Sequence, residues 1–98
     1  MEKRTVSAPI RRRVVFSCED APGRRIFVAG SFCNWEPKYC MTDRDGNGKY
    51  SCRIMLEPGE YQYKFVVDGE WRLDAANPNF APNDFGTLNS LLTVAPKK

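Results

Sequence analysis

Histidine is absent from the 98 residues of this chain. Its absence removes the Ser-His-Asp and Cys-His arrangements of nucleophilic catalysis, together with the commonest metal ligand. The four cysteines, Cys18, Cys33, Cys40 and Cys52, contain no C-x-x-C pair, so no zinc site is expected. No apolar run approaches the length of a membrane span. Met1 to Ile10 carries charge with no hydrophobic stretch behind it, unlike a secretory leader. A cytoplasmic chain with reduced thiols and no membrane partner is therefore expected. A disulfide between Cys33 and Cys40, which bracket a loop, is the alternative. No segment shows a sustained 3.6-residue apolar period, so no long helix is expected. The glycines form no phosphate-binding fingerprint. The carboxylates fall mostly in turns, without the facing pair that glycoside hydrolysis needs. Neither an enzyme nor a bound cofactor is expected.

What remains is strand and turn. The net charge of +3 is uneven, because Lys3, Arg4, Arg11, Arg12 and Arg13 are balanced only by Glu2. Residues 1–12 read as a basic, flexible tail, and residues 13–95 as one small domain with a single core. Phosphate contact through Arg11, Arg12 and Arg13 is a rival use for that tail, recognisable by its dependence on salt. Val14, Phe16 and Cys18 alternate with Arg13, Val15 and Ser17, and Tyr50, Cys52, Ile54 and Leu56 with Lys49, Ser51, Arg53 and Met55. Asp20-Ala21-Pro22-Gly23 and Glu57-Pro58-Gly59-Glu60 are turn sequences. Further strands are expected over Arg25 to Ala29 and Ser90 to Val94. Gly30 to Gly48 and Asp74 to Leu88 resist strand assignment. The pattern predicts an all-β, immunoglobulin-like antiparallel sandwich of about seven short strands. A small closed barrel is the alternative. Asp43-Arg44-Asp45-Gly46-Asn47-Gly48 begins like a calcium loop, but Ile54 stands where the bidentate glutamate belongs. A polar hairpin loop is the preferred reading.

The segment Tyr61 to Arg72 carries the most information. Asp68-Gly69 supplies the two positive-φ positions of a type I′ turn, which sets Val67 opposite Glu70, Val66 opposite Trp71 and Phe65 opposite Arg72. Alternation then puts Gln62, Lys64, Val66 and Trp71 on one face and Tyr61, Tyr63, Phe65 and Val67 on the other. Trp71 is expected to be exposed beside Lys64. Trp35 lies in a polar loop, where a partial core plug and an exposed plate are equally open readings; Phe32 is the better core residue. Exposed tryptophans beside lysine and asparagine suit a sugar, whose C–H face stacks on a ring while its hydroxyls seek donors and acceptors. Single-stranded nucleic acid would require a basic groove. Glu36, Asp68, Glu70 and Asp74 argue against that partner.

Three motifs occur in order: Gly30-Ser31-Phe32-x-Asn34-Trp35, Tyr63-Lys64-Phe65-Val66-Val67-Asp68-Gly69-Glu70-Trp71, and Phe85-Gly86-Thr87-Leu88-Asn89-Ser90. Through them the chain resembles the family 48 carbohydrate-binding modules from about Arg13 to Val94. That family holds the glycogen-binding domains of AMP-activated protein kinase β subunits and early-set domains of α-glucan branching and debranching enzymes. The resemblance implies a non-catalytic sandwich that binds α-1,4-linked glucan, such as glycogen, starch or maltooligosaccharides, and tethers a partner to it. The implied protein partner is a glycogen-metabolising enzyme or a kinase. By position, Trp35 and Trp71 match the tryptophans that sandwich the glucan, and Lys64 matches the hydrogen-bonding lysine. Phe85 stands where the kinase domain has a leucine, and Thr87 and Asn89 match the polar residues of the last loop. Cys33 departs from the usual asparagine, and Ala75 from a frequent proline. The alternative is a protein-interaction module whose sugar site is weak or lost.

Overall fold

The tight turn forms as its sequence dictates, with φ of 49° at Asp68 and 88° at Gly69. The hairpin register is the expected one: Val67 opposite Glu70, Val66 opposite Trp71, Phe65 opposite Arg72. The computed structural model describes residues 10–96. Most of the basic tail read from the sequence therefore lies outside the described residues. Within them run β1 (Arg12–Glu19), β2 (Ile26–Gly30), a short 3₁₀ turn (Ser31–Cys33), β3 (Tyr39–Met41) and β4 (Lys49–Leu56). They are followed by β5 (Gly59–Val67), β6 (Glu70–Arg72), β7 (Phe80–Pro82) and β8 (Leu88–Val94). Arg12, assigned from sequence to the tail, opens β1 and donates to the Ala95 carbonyl at 3.3 Å.

The strands form two antiparallel layers. One is the pair β1-β4; the other is ordered β3-β2-β5-β8-β7, with β6 alongside β5. Among the described residues there are eight strands where about seven are expected, because β3 and β7 lie inside the two segments that resisted assignment. Each is only three residues long and draws its pairing from a longer neighbour, β2 or β8. β7 is an edge strand, where Pro82 is tolerated although it lacks a donor for a further ladder. Phe16, Tyr50, Ile54 and Leu56 of the smaller sheet pack against Ile26, Val28, Tyr63, Phe65 and Val67 of the larger. Phe16 meets Tyr63 edge-on at 5.0 Å and Phe32 at 5.6 Å, so Phe32 does line the core. All four cysteines are free, including Cys33 and Cys40. Asp43 closes the polar loop before β4 by accepting the amides of Asn47 (3.0 Å) and Gly48 (2.7 Å).

Candidate functional site

Strand β5 changes neighbours part-way along. Up to Tyr63 it pairs with β8, and from Phe65 onward with β6. Lys64 stands at that change, facing outward, with 9% of its surface exposed. Its ammonium donates to the Thr87 hydroxyl at 3.2 Å, and no carboxylate among the described residues pairs with it. Beside it Trp71 is 46% exposed, as its place on the outer face requires.

Trp35 reaches the same place through a strained turn. Asn34 and Trp35 both take the left-handed conformation, with φ of 55° and 61°. For asparagine this is tolerable, whereas for tryptophan it costs on the order of 1–3 kcal/mol and persists only where neighbours enforce it. The enforcement is visible. Trp35 N–H donates to the Gly30 carbonyl at 2.9 Å, and Glu36 N–H to the Cys33 carbonyl at 3.1 Å. The Cys33 thiol is buried against both ends of the turn, accepting from Gly30 N–H at 3.4 Å and lying 3.3 Å from the Glu36 carbonyl. A side chain at Gly30 would strike the Gln62 carbonyl and the Phe32 ring, so glycine lets the turn seat on β5. The outcome is a half-buried Trp35 whose ring centre lies 6.5 Å from that of Trp71, with planes at 52°. The two rings meet at an angle, as a curved wall and not a flat one.

The opposite wall is the turn between β7 and β8, organised by Asn83. Its side-chain carbonyl accepts Phe85 N–H (2.9 Å) and Thr87 N–H (3.1 Å). Its amide group donates to the Thr87 hydroxyl (2.7 Å) and the Asn89 carbonyl oxygen (2.9 Å). Asn89 in turn donates to Gln62 Oε1 at 2.8 Å. A continuous polar chain therefore runs from Gln62 through Asn89, Asn83 and Thr87 to Lys64. The start of the long loop is pinned to the core by Tyr63, which donates to Asp74 at 2.6 Å and accepts from Asn77 at 3.1 Å. Burial first, then the Asp74 carboxylate, pushes the Tyr63 phenol far above its ordinary range, so it stays a donor. What looked in sequence like a structureless connection is a set of side-chain-capped turns.

Trp35, Lys64, Trp71, Phe85, Thr87 and Asn89 all line one open groove of about 1170 Å³. Phe85 sits at its mouth, 91% exposed. Sequence reasoning missed Asn83 and Gln62. Gln62 had a signal, since it shares the Lys64 face two residues away, whereas Asn83 looked like one more loop asparagine. Among the described residues, no helix is long and apolar enough to cross a membrane.

Residues 13–98 match the family described as the glycogen recognition site of AMP-activated protein kinase. The chain belongs to that family. It is similar to Protein FLOURY ENDOSPERM 6, chloroplastic, of Oryza sativa subsp. japonica, at 38% identity over 82 residues, 84% of this chain and 15% of that protein. It is also 36% identical over 72 residues to the human 5'-AMP-activated protein kinase subunit beta-2, covering 74% of this chain and 25% of that subunit. To the rat beta-1 subunit it is 33% identical over 87 residues, 89% of this chain and 31% of that subunit. The chain thus spans between 15% and 31% of the length of these relatives. One of these relatives is named as chloroplastic, so similarity to them does not assign a compartment. At Cys33, where the resemblance implies an asparagine, the thiol contacts both ends of its turn.

Proposed function

We propose that the groove binds α-1,4-linked glucan without catalysis and tethers a protein partner to the polymer. The observation that carries this reading is the meeting of Trp35 and Trp71 at 6.5 Å, beside the polar chain from Lys64 to Gln62. The angled rings suit the C–H faces of a curved sugar chain. The Thr87 hydroxyl already accepts from Lys64 and Asn83, so its own proton is free for a sugar oxygen. Lys64 keeps two further donors, and Gln62 keeps its amide N–H groups. Phe85 adds an apolar edge at the mouth. Such a wet, open site predicts dissociation constants on the order of micromolar to millimolar for short oligosaccharides, with avidity on a branched polymer. The acids Glu60 and Asp84 on the groove disfavour nucleic acid. The kinase subunits among the relatives support a kinase or a glycogen-metabolising enzyme as the tethered partner. The four free thiols favour a reducing compartment such as the cytoplasm.

Titration with maltoheptaose, followed by tryptophan fluorescence, tests the proposal. A saturable change is expected that rising salt leaves in place, and Trp71→Ala should weaken binding about ten- to a hundred-fold, the range for losing one stacking plate. A flat titration together with no co-sedimentation with glycogen overturns the reading.

A further inference from the structure

The groove extends well past the tryptophan pair. It continues over the outer face of β5 and β8, beyond Gln62 and Leu91, to Glu60 and Thr93. Residues of a strand advance about 3.4 Å each, so the row Lys64, Gln62, Glu60 is roughly 14 Å long. The stacking and donor groups described above occupy only its first half.

Register sets the far half as two rungs, Gln62 opposite Leu91 and Glu60 opposite Thr93. Leu91 is half-buried and forms an apolar floor, while Glu60 and Thr93 are exposed. The Glu60 and Thr93 side chains take no part in the hydrogen bonds or ion pairs of the described residues. Ser31 differs: its hydroxyl accepts Gln62 N–H at 3.1 Å and lies 3.5 Å from the Gln62 carbonyl, so it serves as a wall. Gln62 joins the halves, with Oε1 held by Asn89 and its amide N–H groups free. The two ends are chemically complementary. Lys64 can only donate, and an ionised Glu60 can only accept, which matches hydroxyl groups that do both.

We propose that the Gln62–Leu91 and Glu60–Thr93 rungs form a second sugar subsite, which makes the protein select α-glucan segments by length. This rests on the glucan reading above. A pyranose ring would lie on Leu91, donate a hydroxyl proton to Glu60 and exchange hydrogen bonds with Thr93 and the free Gln62 amide. Segments too short to reach past Gln62 would use the tryptophan half alone.

The test measures maltotriose and maltoheptaose affinity by titration calorimetry on the whole chain and on the double variant Glu60→Ala, Thr93→Val. Both positions are exposed, so the fold should be retained. Wild type is expected to bind maltoheptaose more tightly than maltotriose. The double variant should lose about three- to ten-fold on maltoheptaose, the value of one or two hydrogen bonds, with maltotriose unchanged. Equal losses on both sugars, or none on either, overturn the subsite and leave the tryptophan site standing. No maltoheptaose binding by wild type overturns the glucan reading, and the subsite with it.

Discussion

On the inner face of β5, Tyr63, Phe65 and Val67 are between 2% and 5% exposed; on its outer face, Val66 and Lys64 are 6% and 9% exposed. By coverage alone the two faces barely differ. Their covering layers do. Phe65 and Val67 are packed by aromatic and aliphatic side chains of both sheets. The Lys64 ammonium instead meets the polar turn after β7, where the Thr87 hydroxyl, itself held by Asn83, accepts from it. Burial therefore does not separate fold from site in this strand; the polarity of what lies over each residue does. The inner layer should answer to stability measurements, as should outer-face Val66, which is buried with Ala29 and Cys33 in a second apolar cluster. Lys64 should answer to binding measurements.

The sharpest way to break that division is at Phe65. Phe65→Ala removes a ring that is 2% exposed and leaves a cavity between the sheets. A loss of about 3–5 kcal/mol is expected in urea unfolding, which is most of the stability of a domain this small. A loss under 1 kcal/mol would mean that the inner face is not the core. Lys64→Met probes the outer face. The Lys64 ammonium has one hydroxyl as its protein partner, so the fold draws little from its charge, and methionine fills nearly the same volume. Thr87 keeps its bond from Asn83 in the variant. The melting temperature should hold or rise by a few degrees, while maltoheptaose affinity falls about tenfold. A marked fall in melting temperature would assign Lys64 to the fold instead.

This division also explains what was legible in the sequence. The β5–β6 register was readable because Asp68-Gly69 admits essentially one tight turn and alternation then places every side chain. The inner aromatics, Trp71 and Lys64 followed from that single inference. Strands β3 and β7 were not readable, since three residues cannot show a period and their pairing is imposed by β2 and β8. Trp35 stayed ambiguous because its direction depends on two left-handed residues that composition does not announce. Asn83 was missed for a different reason. Its local hydrogen bonds resemble those that Asp43 makes in the other long loop, where both carboxylate oxygens are spent on backbone amides. Asn83 spends only its carbonyl that way, and its amide group reaches Thr87 and Asn89. The distinction between a loop cap and a site organiser is one nitrogen atom and a contact with another strand.

The smallest effect is expected at the turn that sets both faces at once. The Asp68 carboxylate accepts Arg25 N–H at 2.8 Å and pairs with the Arg24 guanidinium at 3.0 Å, with Arg72 contributing from further away. The Arg25 amide first and Arg24 second hold its pKa below the ordinary carboxylate value. A depressed folded-state pKa contributes stability that is fully present above about pH 4, the unfolded value, and is lost as pH falls through the lower folded one. Asp68→Asn keeps a residue suited to positive φ and an oxygen for Arg25 N–H, and removes only the charge. Wild type should therefore exceed the variant slightly above pH 5, and the gap should close as pH falls below about pH 4 and through the lower folded-state pKa. The site is exposed, so added salt should shrink the gap as well. Thermal melts of both proteins across that pH range provide the check. A gap independent of pH would mean that the turn is held by its backbone geometry alone, and that the ion pair contributes nothing to the register on which the groove depends.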